Sequence, residues 1–141
     1  MTISLRRWLL VLLAVTALYV GSWAYFAPES WHHTFPGFGH HWLPVLGPYN
    51  EHLVKDVGAF YLAFGVLTTV AAWRVRENSL VFSVGAAWLV FNVLHFAYHL
   101  QHLHKYSGTD KILNVVVLVG ITLLSAAIIL PVRETRRRKL S

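Results

Sequence analysis

Cysteine is absent from the 141 residues. That excludes disulfides, thiolate metal sites and a cysteine nucleophile. Charge is nearly as scarce. Asp, Glu, Lys and Arg make up 13% of the chain, against about a quarter in soluble domains. A chain this poor in charge cannot cover a water-facing surface. A soluble enzyme, a disordered tail and a coiled coil are therefore excluded. Acidic residues are the scarcest charge, six against twelve Lys and Arg, so the net charge is +6. A basic excess can mark a nucleic-acid binder, but that role needs polar surface that is lacking here. No nucleic-acid partner is expected, and the basic charge needs another explanation. Hydrophobic residues, by contrast, reach 56%, and nine histidines outnumber the six carboxylates.

Asp, Glu, Lys and Arg are missing from four long stretches. Trp8 to Ala27 is 20 residues without one, Val57 to Trp73 is 17, Asn78 to His104 is 27 and Ile112 to Val132 is 21. About 20 apolar residues cross the hydrocarbon core as a helix. The sequence predicts an all-α, four-helix transmembrane bundle in one integral membrane domain, with spans at about 6–27, 51–74, 79–104 and 111–132. A loop at 28–50 and a basic tail at 133–141 remain outside the spans. The first span reads as uncleaved, since its apolar run is long and Trp23, Tyr25 and Phe26 spoil a small-residue cleavage site. Arg6, Arg7, Arg74, Arg76, Arg133, Arg136, Arg137, Arg138 and Lys139 share one side, and Lys55, Lys105 and Lys111 the other. Nine against three places both termini in the cytoplasm by the positive-inside rule. The lipid bilayer is then the first partner. Trp8 and Trp73 read as an inner aromatic belt, and Trp23, Tyr25, Trp31 and Trp42 as an outer one.

The 28–50 loop carries four prolines and the pairs His32–His33 and His40–His41. Proline and glycine forbid one continuous helix across it. It reads as an interfacial loop or as a metal-collecting lid.

The third span ends in a polar stripe. Trp88, Asn92, His95, His99 and His102 are spaced four, three, four and three, which puts them on one helix face. Such a stripe is costly against lipid and should face the bundle interior or a wet cavity. The second span opens Pro-Tyr-Asn-Glu-His-Leu-Val-Lys-Asp, where Asn50 can cap the helix. His52 with Asp56, and Glu51 with Lys55, form two pairs four residues apart. At a rise of 1.5 Å per residue, Asp56 lies about 6–7 Å below the helix start, level with His99. His52 is then level with His102. This depth matching predicts an outward-facing polar pocket of Tyr49, Asn50, Lys55 and Asn92, with His95, His99, Asp56, His52, Glu51 and His102 as candidate metal ligands. Imidazole with carboxylate suits Zn, Fe, Mn or Cu. Haem-specific spacing is not present. The same groups can form a proton relay, or a hydrogen-bonded plug that holds two helices together.

The segment Pro48 to Phe60, Pro-Tyr-Asn-Glu-His-Leu-Val-Lys-Asp-Val-Gly-Ala-Phe, resembles small bacterial four-helix membrane proteins of unknown function, loosely grouped as DoxX-like. The layout is similar along most of the chain, the motif only here. The resemblance implies a bacterial inner-membrane protein and points to Tyr49, Asn50, Glu51, His52, Asp56 and Gly58, with His95 and His99. It carries no established activity. The histidine pairs of the loop and His102 depart from the pattern.

Three functions remain open on the sequence. One is a membrane protein that binds a metal ion or small polar ligand, as an accessory subunit or assembly factor. Another is a metal-dependent membrane enzyme or redox component, with His95, His99 and Asp56 as ligands and Glu51 or His52 as base. The third is a structural subunit of a larger complex, in contact with other membrane subunits or with itself.

Overall fold

The computed structural model describes residues 1–132. The basic tail at 133–141 lies outside the described residues. The first helix, α1, covers Ile3–Phe26 and is capped by the Thr2 side chain, which accepts from the Leu5 amide. A short helix α2, Pro28–Thr34, starts on proline, whose missing N–H costs nothing at that position. It stops before Pro36. A two-stranded hairpin follows, with β1 Pro36–Gly37 antiparallel to β2 His40–His41. Its two-residue turn has positive φ at Phe38 (57°) and Gly39 (83°), the twist that a tight hairpin needs. Helix α3 is Glu51–Trp73, with the Asn50 side chain accepting from the Leu53 amide. Helix α4 is Asn78–Gln101, followed by a 3-10 turn at Leu103–Lys105. Helix α5 is Gly108–Ile128.

Helices α1, α3, α4 and α5 are long and apolar enough to cross a membrane. The protein is a multi-pass, all-α membrane protein. The bounds differ from the sequence reading at the ends. Helix α4 stops at Gln101 rather than 104, because the chain tightens into the 3-10 turn; His102 becomes its cap and His104 leaves the helix. Helix α5 runs from 108 to 128 rather than from 111 to 132. It ends ahead of Pro131, whose ring cannot continue a helix.

Successive spans run up and down. Gly58 of α3 lies against Tyr25 of α1, and Gly65 against Leu18, so the two helices are antiparallel. A Cβ at Gly58 would stand 2.6 Å from the Tyr25 amide nitrogen. Only glycine lets the backbones approach so closely, and in lipid such dispersion contacts replace the hydrophobic drive. Gly85 of α4 makes room instead for the side chains of Ile128 and Ile129 at the end of α5. The closest helix pairs are α1 with α3 and α4 with α5. Large apolar side chains such as Trp8, Val66, Leu94, Val116 and Leu123 point outward, as a lipid-facing surface requires.

Two cores stack along the bundle. One, at the end holding the N-terminus of α1, joins Leu10, Leu13, Val81, Trp88 and Ile128. Arg6 is buried there and ties three helices, donating to Asn78 Oδ1 at 2.7 Å and to the Ile128 carbonyl at 3.2 Å. The other, at the loop end, joins Val20, Ala24, Trp31 and Val54.

Candidate functional site

Between the two cores lies a cavity of about 280 Å³. Helices α1, α3, α4 and α5 wall it, and the 28–50 loop roofs it. Val20, Val57, Tyr61, Phe91, Val117, Leu118 and Ile121 form most of the wall; Trp31, Phe35, Trp42 and Leu43 come from the loop. Trp31 and Trp42 are buried. They sit inward, not in the interfacial belt that the sequence suggested, because the α2 turn and the hairpin fold the loop back over the bundle.

The polar lining gathers in one region. Asn92, His95 and His99 of the α4 stripe face the cavity with Asn114 of α5. Asn92 donates from Nδ2 to Ser125 Oγ at 2.8 Å, and Ser125 in turn donates to the Ile121 carbonyl. His95 stacks on Phe91 and meets His99 edge to face, with ring centres 4.6 Å apart. The His99 Nδ1 is 3.3 Å from the Tyr106 hydroxyl, which donates its one proton to the Trp42 carbonyl at 3.2 Å. The hydroxyl therefore accepts from His99 Nδ1–H, and Nε2 is left as an acceptor. This tautomer is assigned from the hydrogen-bond network. Burial raises the Tyr106 phenol to about 12, with Tyr98 and Asp110 adding to the rise and Asn114 opposing it.

Asn114 is 1% exposed. Its amide lies beside His99 and Tyr106. Even so, neither its Nδ2 nor its Oδ1 completes a hydrogen bond with them at bonding distance and angle. Leaving a buried donor or acceptor unmet costs about 1–3 kcal/mol for each group. Among the described residues, no carboxylate, lysine or arginine lines the cavity.

The loop is fastened at the α5 start. Asp110 accepts from Trp42 Nε1 at 3.0 Å and pairs with His40 Nδ1. His41 Nδ1 meets the His33 carbonyl within the loop. The His32 ring is buried against His33 and Tyr49, and its Nδ1 has no hydrogen-bond partner among the described residues. Burial lowers its pKa from the ordinary 6.5; the Gly47 backbone opposes the shift and His33 reinforces it.

The candidate residues of the sequence thus divide. The structure brings Asn92, His95 and His99 to one cavity. It leaves His52 and Asp56 on the outer surface of α3, with side chains 83% and 64% exposed and 3.4 Å from each other. Glu51 and Lys55 pair beside them at 2.8 Å. Asn50 is used as the helix cap, and Tyr49 packs in the loop. His102 Nδ1 meets its own helix at the Tyr98 carbonyl. The depth matching treated α3 and α4 as closest neighbours, but α3 packs most closely on α1. Among the described residues, no three His, Asp or Glu side chains come together as a metal-ion set.

Asn114, Tyr106 and Asp110 went unread in the sequence, and the loop tryptophans were read only as an interfacial belt. Asn114 had a signal: it is the lone amide in an apolar span, spaced four, three and four from Leu118, Ile121 and Ser125. That repeats the spacing of the α4 stripe that it faces. Among known proteins, no family model, no curated protein and no solved structure matches this chain.

Proposed function

We propose that this membrane protein holds a small, uncharged, largely apolar molecule in the cavity, under the 28–50 loop, as a binding protein or accessory subunit. The observation that carries the reading is the cavity itself: about 280 Å³, close to the smaller known ligand pockets. Its walls are aromatic and aliphatic, and its few polar groups converge in one region, as ligand sites do. Among the described residues no Asp, Glu, Lys or Arg lines the cavity, which favours a neutral occupant, since an ion there would lack a partner. His95 and His99 contact each other through their rings, and the carboxylates of α3 stand on its outer face. Both features favour a small molecule over a metal ion. Nine of the twelve cationic residues flank the far end, which supports cytoplasmic termini and an outward cavity. The DoxX-like resemblance adds the bacterial inner membrane.

Bromobenzene tests this, because a heavy-atom quencher in the cavity touches Trp31 and Trp42. In lipid nanodiscs, tryptophan quenching should show a saturable component above the linear one from lipid-dissolved quencher. Leu118→Phe, which fills part of the cavity, should abolish the saturable component. Purely linear quenching of the wild type, or unchanged saturation in Leu118→Phe, would overturn the reading.

A further inference from the structure

We infer that the cavity selects a small neutral alcohol or phenol, whose hydroxyl is held by the imidazole of His95. This rests on the cavity being a ligand site. On and beside α4, the side-chain hydrogen bonds among the described residues belong to Asn78, Trp88, Asn92, His99 and His102. His95 makes none, although it lines the cavity with Asn92 and His99. Phe91 and His99 touch it as rings. The enclosed polar side-chain atoms without a partner are Trp31 Nε1, His32 Nδ1 and the two of the Asn114 amide. The His95 ring is instead half-buried, and its nitrogens are not among the enclosed atoms. It therefore offers the cavity a hydrogen-bonding capacity that the fold does not use.

A neutral imidazole carries one donor and one acceptor nitrogen, and its neighbours decide which is which. The Tyr106 hydroxyl fixes the His99 ring, but among the described residues nothing fixes that of His95. A hydroxyl donates and accepts from one oxygen, so it answers whichever nitrogen it meets. A ketone or an ether only accepts, and answers only the N–H. A carboxylate or a protonated amine meets no opposite charge in this wall among the described residues. A purely apolar guest leaves the ring unmet, which buried polar groups avoid. The Tyr61 hydroxyl also lines the cavity, but it stands on α3 at the level of Trp88 and Phe91, deeper than His95. The rest of the wall sets the body of the molecule. Phe91, Trp31 and Trp42 offer aromatic faces, and Val117 and Leu118 offer aliphatic ones. A volume of about 280 Å³ is the liquid share of roughly nine waters, which suits a single small ring. The ligand class is therefore a neutral ring compound with one hydroxyl.

Three probes of one size separate these heads: cyclohexanol donates and accepts, cyclohexanone only accepts, and methylcyclohexane does neither. Each is read as a competitor of the saturable bromobenzene quenching. Lipid partition is the same for wild type and variant, so the ratio of the two apparent affinities isolates the site. His95→Phe keeps a ring against Phe91 and removes both nitrogens. It should weaken cyclohexanol about tenfold, weaken cyclohexanone less, and leave methylcyclohexane unchanged or tighter. Tyr61→Phe should leave all three unchanged. Equal cyclohexanol affinity in wild type and His95→Phe, or as large a loss in Tyr61→Phe, overturns the assignment to His95 and leaves the cavity reading standing. A cyclohexanone loss as large as that of cyclohexanol overturns the hydroxyl. Absence of saturable quenching in the wild type overturns both the head and the cavity. If His95→Phe does not fold, the wild type alone decides, after correction for partition into protein-free nanodiscs. Cyclohexanol should then compete at least about tenfold better than methylcyclohexane, and equal competition overturns the assignment.

Discussion

Arg6 is a charged side chain buried in the bundle, and its surroundings explain why it stays. Among the described residues, no carboxylate forms an ion pair with it. It spends its donors on the Asn78 side chain and the Ile128 carbonyl, so one guanidinium joins the starts of α1 and α4 to the end of α5. The Ile128 carbonyl is one of the terminal acceptors that a helix cannot satisfy internally. Hydrogen bonds to a charged donor contribute about 1.5–3 kcal/mol each when one partner is removed. The comparable tie deeper in the bundle, Trp88 Nε1 to Thr68 Oγ1 at 2.8 Å, joins two neutral groups, and neutral bonds between membrane helices average only about 0.6 kcal/mol. Arg6→Ala should therefore destabilise the bundle by about 3–6 kcal/mol, and Thr68→Val by only about 0.6 kcal/mol. Reversible unfolding in mixed micelles measures both. Equal losses would show that the charge on Arg6 adds nothing.

Helix pairing sets which residues of the sequence can meet, and here the elements decided against the first reading. The spans themselves were legible because the absence of charge over about 20 residues is a direct consequence of crossing hydrocarbon. The α4 stripe was legible because helical spacing alone puts Asn92, His95 and His99 on one face. The partner helix was not legible. The second span has a sequence neighbour on either side, and Gly58 and Gly65 turn the tight face of α3 toward Tyr25 and Leu18 of α1 rather than toward α4. His52 and Asp56 are carried outward with the opposite surface. The same geometry predicts a cost. Gly58→Leu puts a branched side chain where a single Cβ would already lie 2.6 Å from the Tyr25 amide. Overpacking of a tight contact costs about 1–3 kcal/mol, while Gly120, whose added Cβ meets nothing within 4 Å, tolerates leucine. A thermal shift of Gly58→Leu no larger than that of Gly120→Leu would disprove the close pairing of α1 and α3.

At the scale of the whole molecule, the loop and the bundle form one closed unit with a defined window of pH. The loop roofs the cavity with Trp31 and Trp42 and is fastened through Trp42, Tyr106 and Asp110. Two titratable groups outside the spans are held neutral by this closure. His32 has a folded pKa below its ordinary 6.5, so the open loop binds a proton that the closed loop refuses. Its contribution to closure is complete above about 6.5 and is lost as pH falls below that value toward the depressed pKa. Tyr106 has a folded pKa near 12 against an ordinary 10. The open loop loses that proton first, so its contribution is complete below about 10 and fades as pH rises toward 12. As a phenolate it can no longer donate to the Trp42 carbonyl. Closure should therefore be flat between about 6.5 and 10 and weaken on both sides. Amide exchange of the 31–42 backbone, corrected for the intrinsic pH dependence of exchange, reports this opening directly. His32→Phe should remove the acid limb and keep the alkaline one. Asp110→Ala, which releases both His40 and Trp42, should raise opening at every pH without creating a new limb. Exchange that stays flat well below 6.5 in the wild type would mean that His32 is not held neutral by the closed loop.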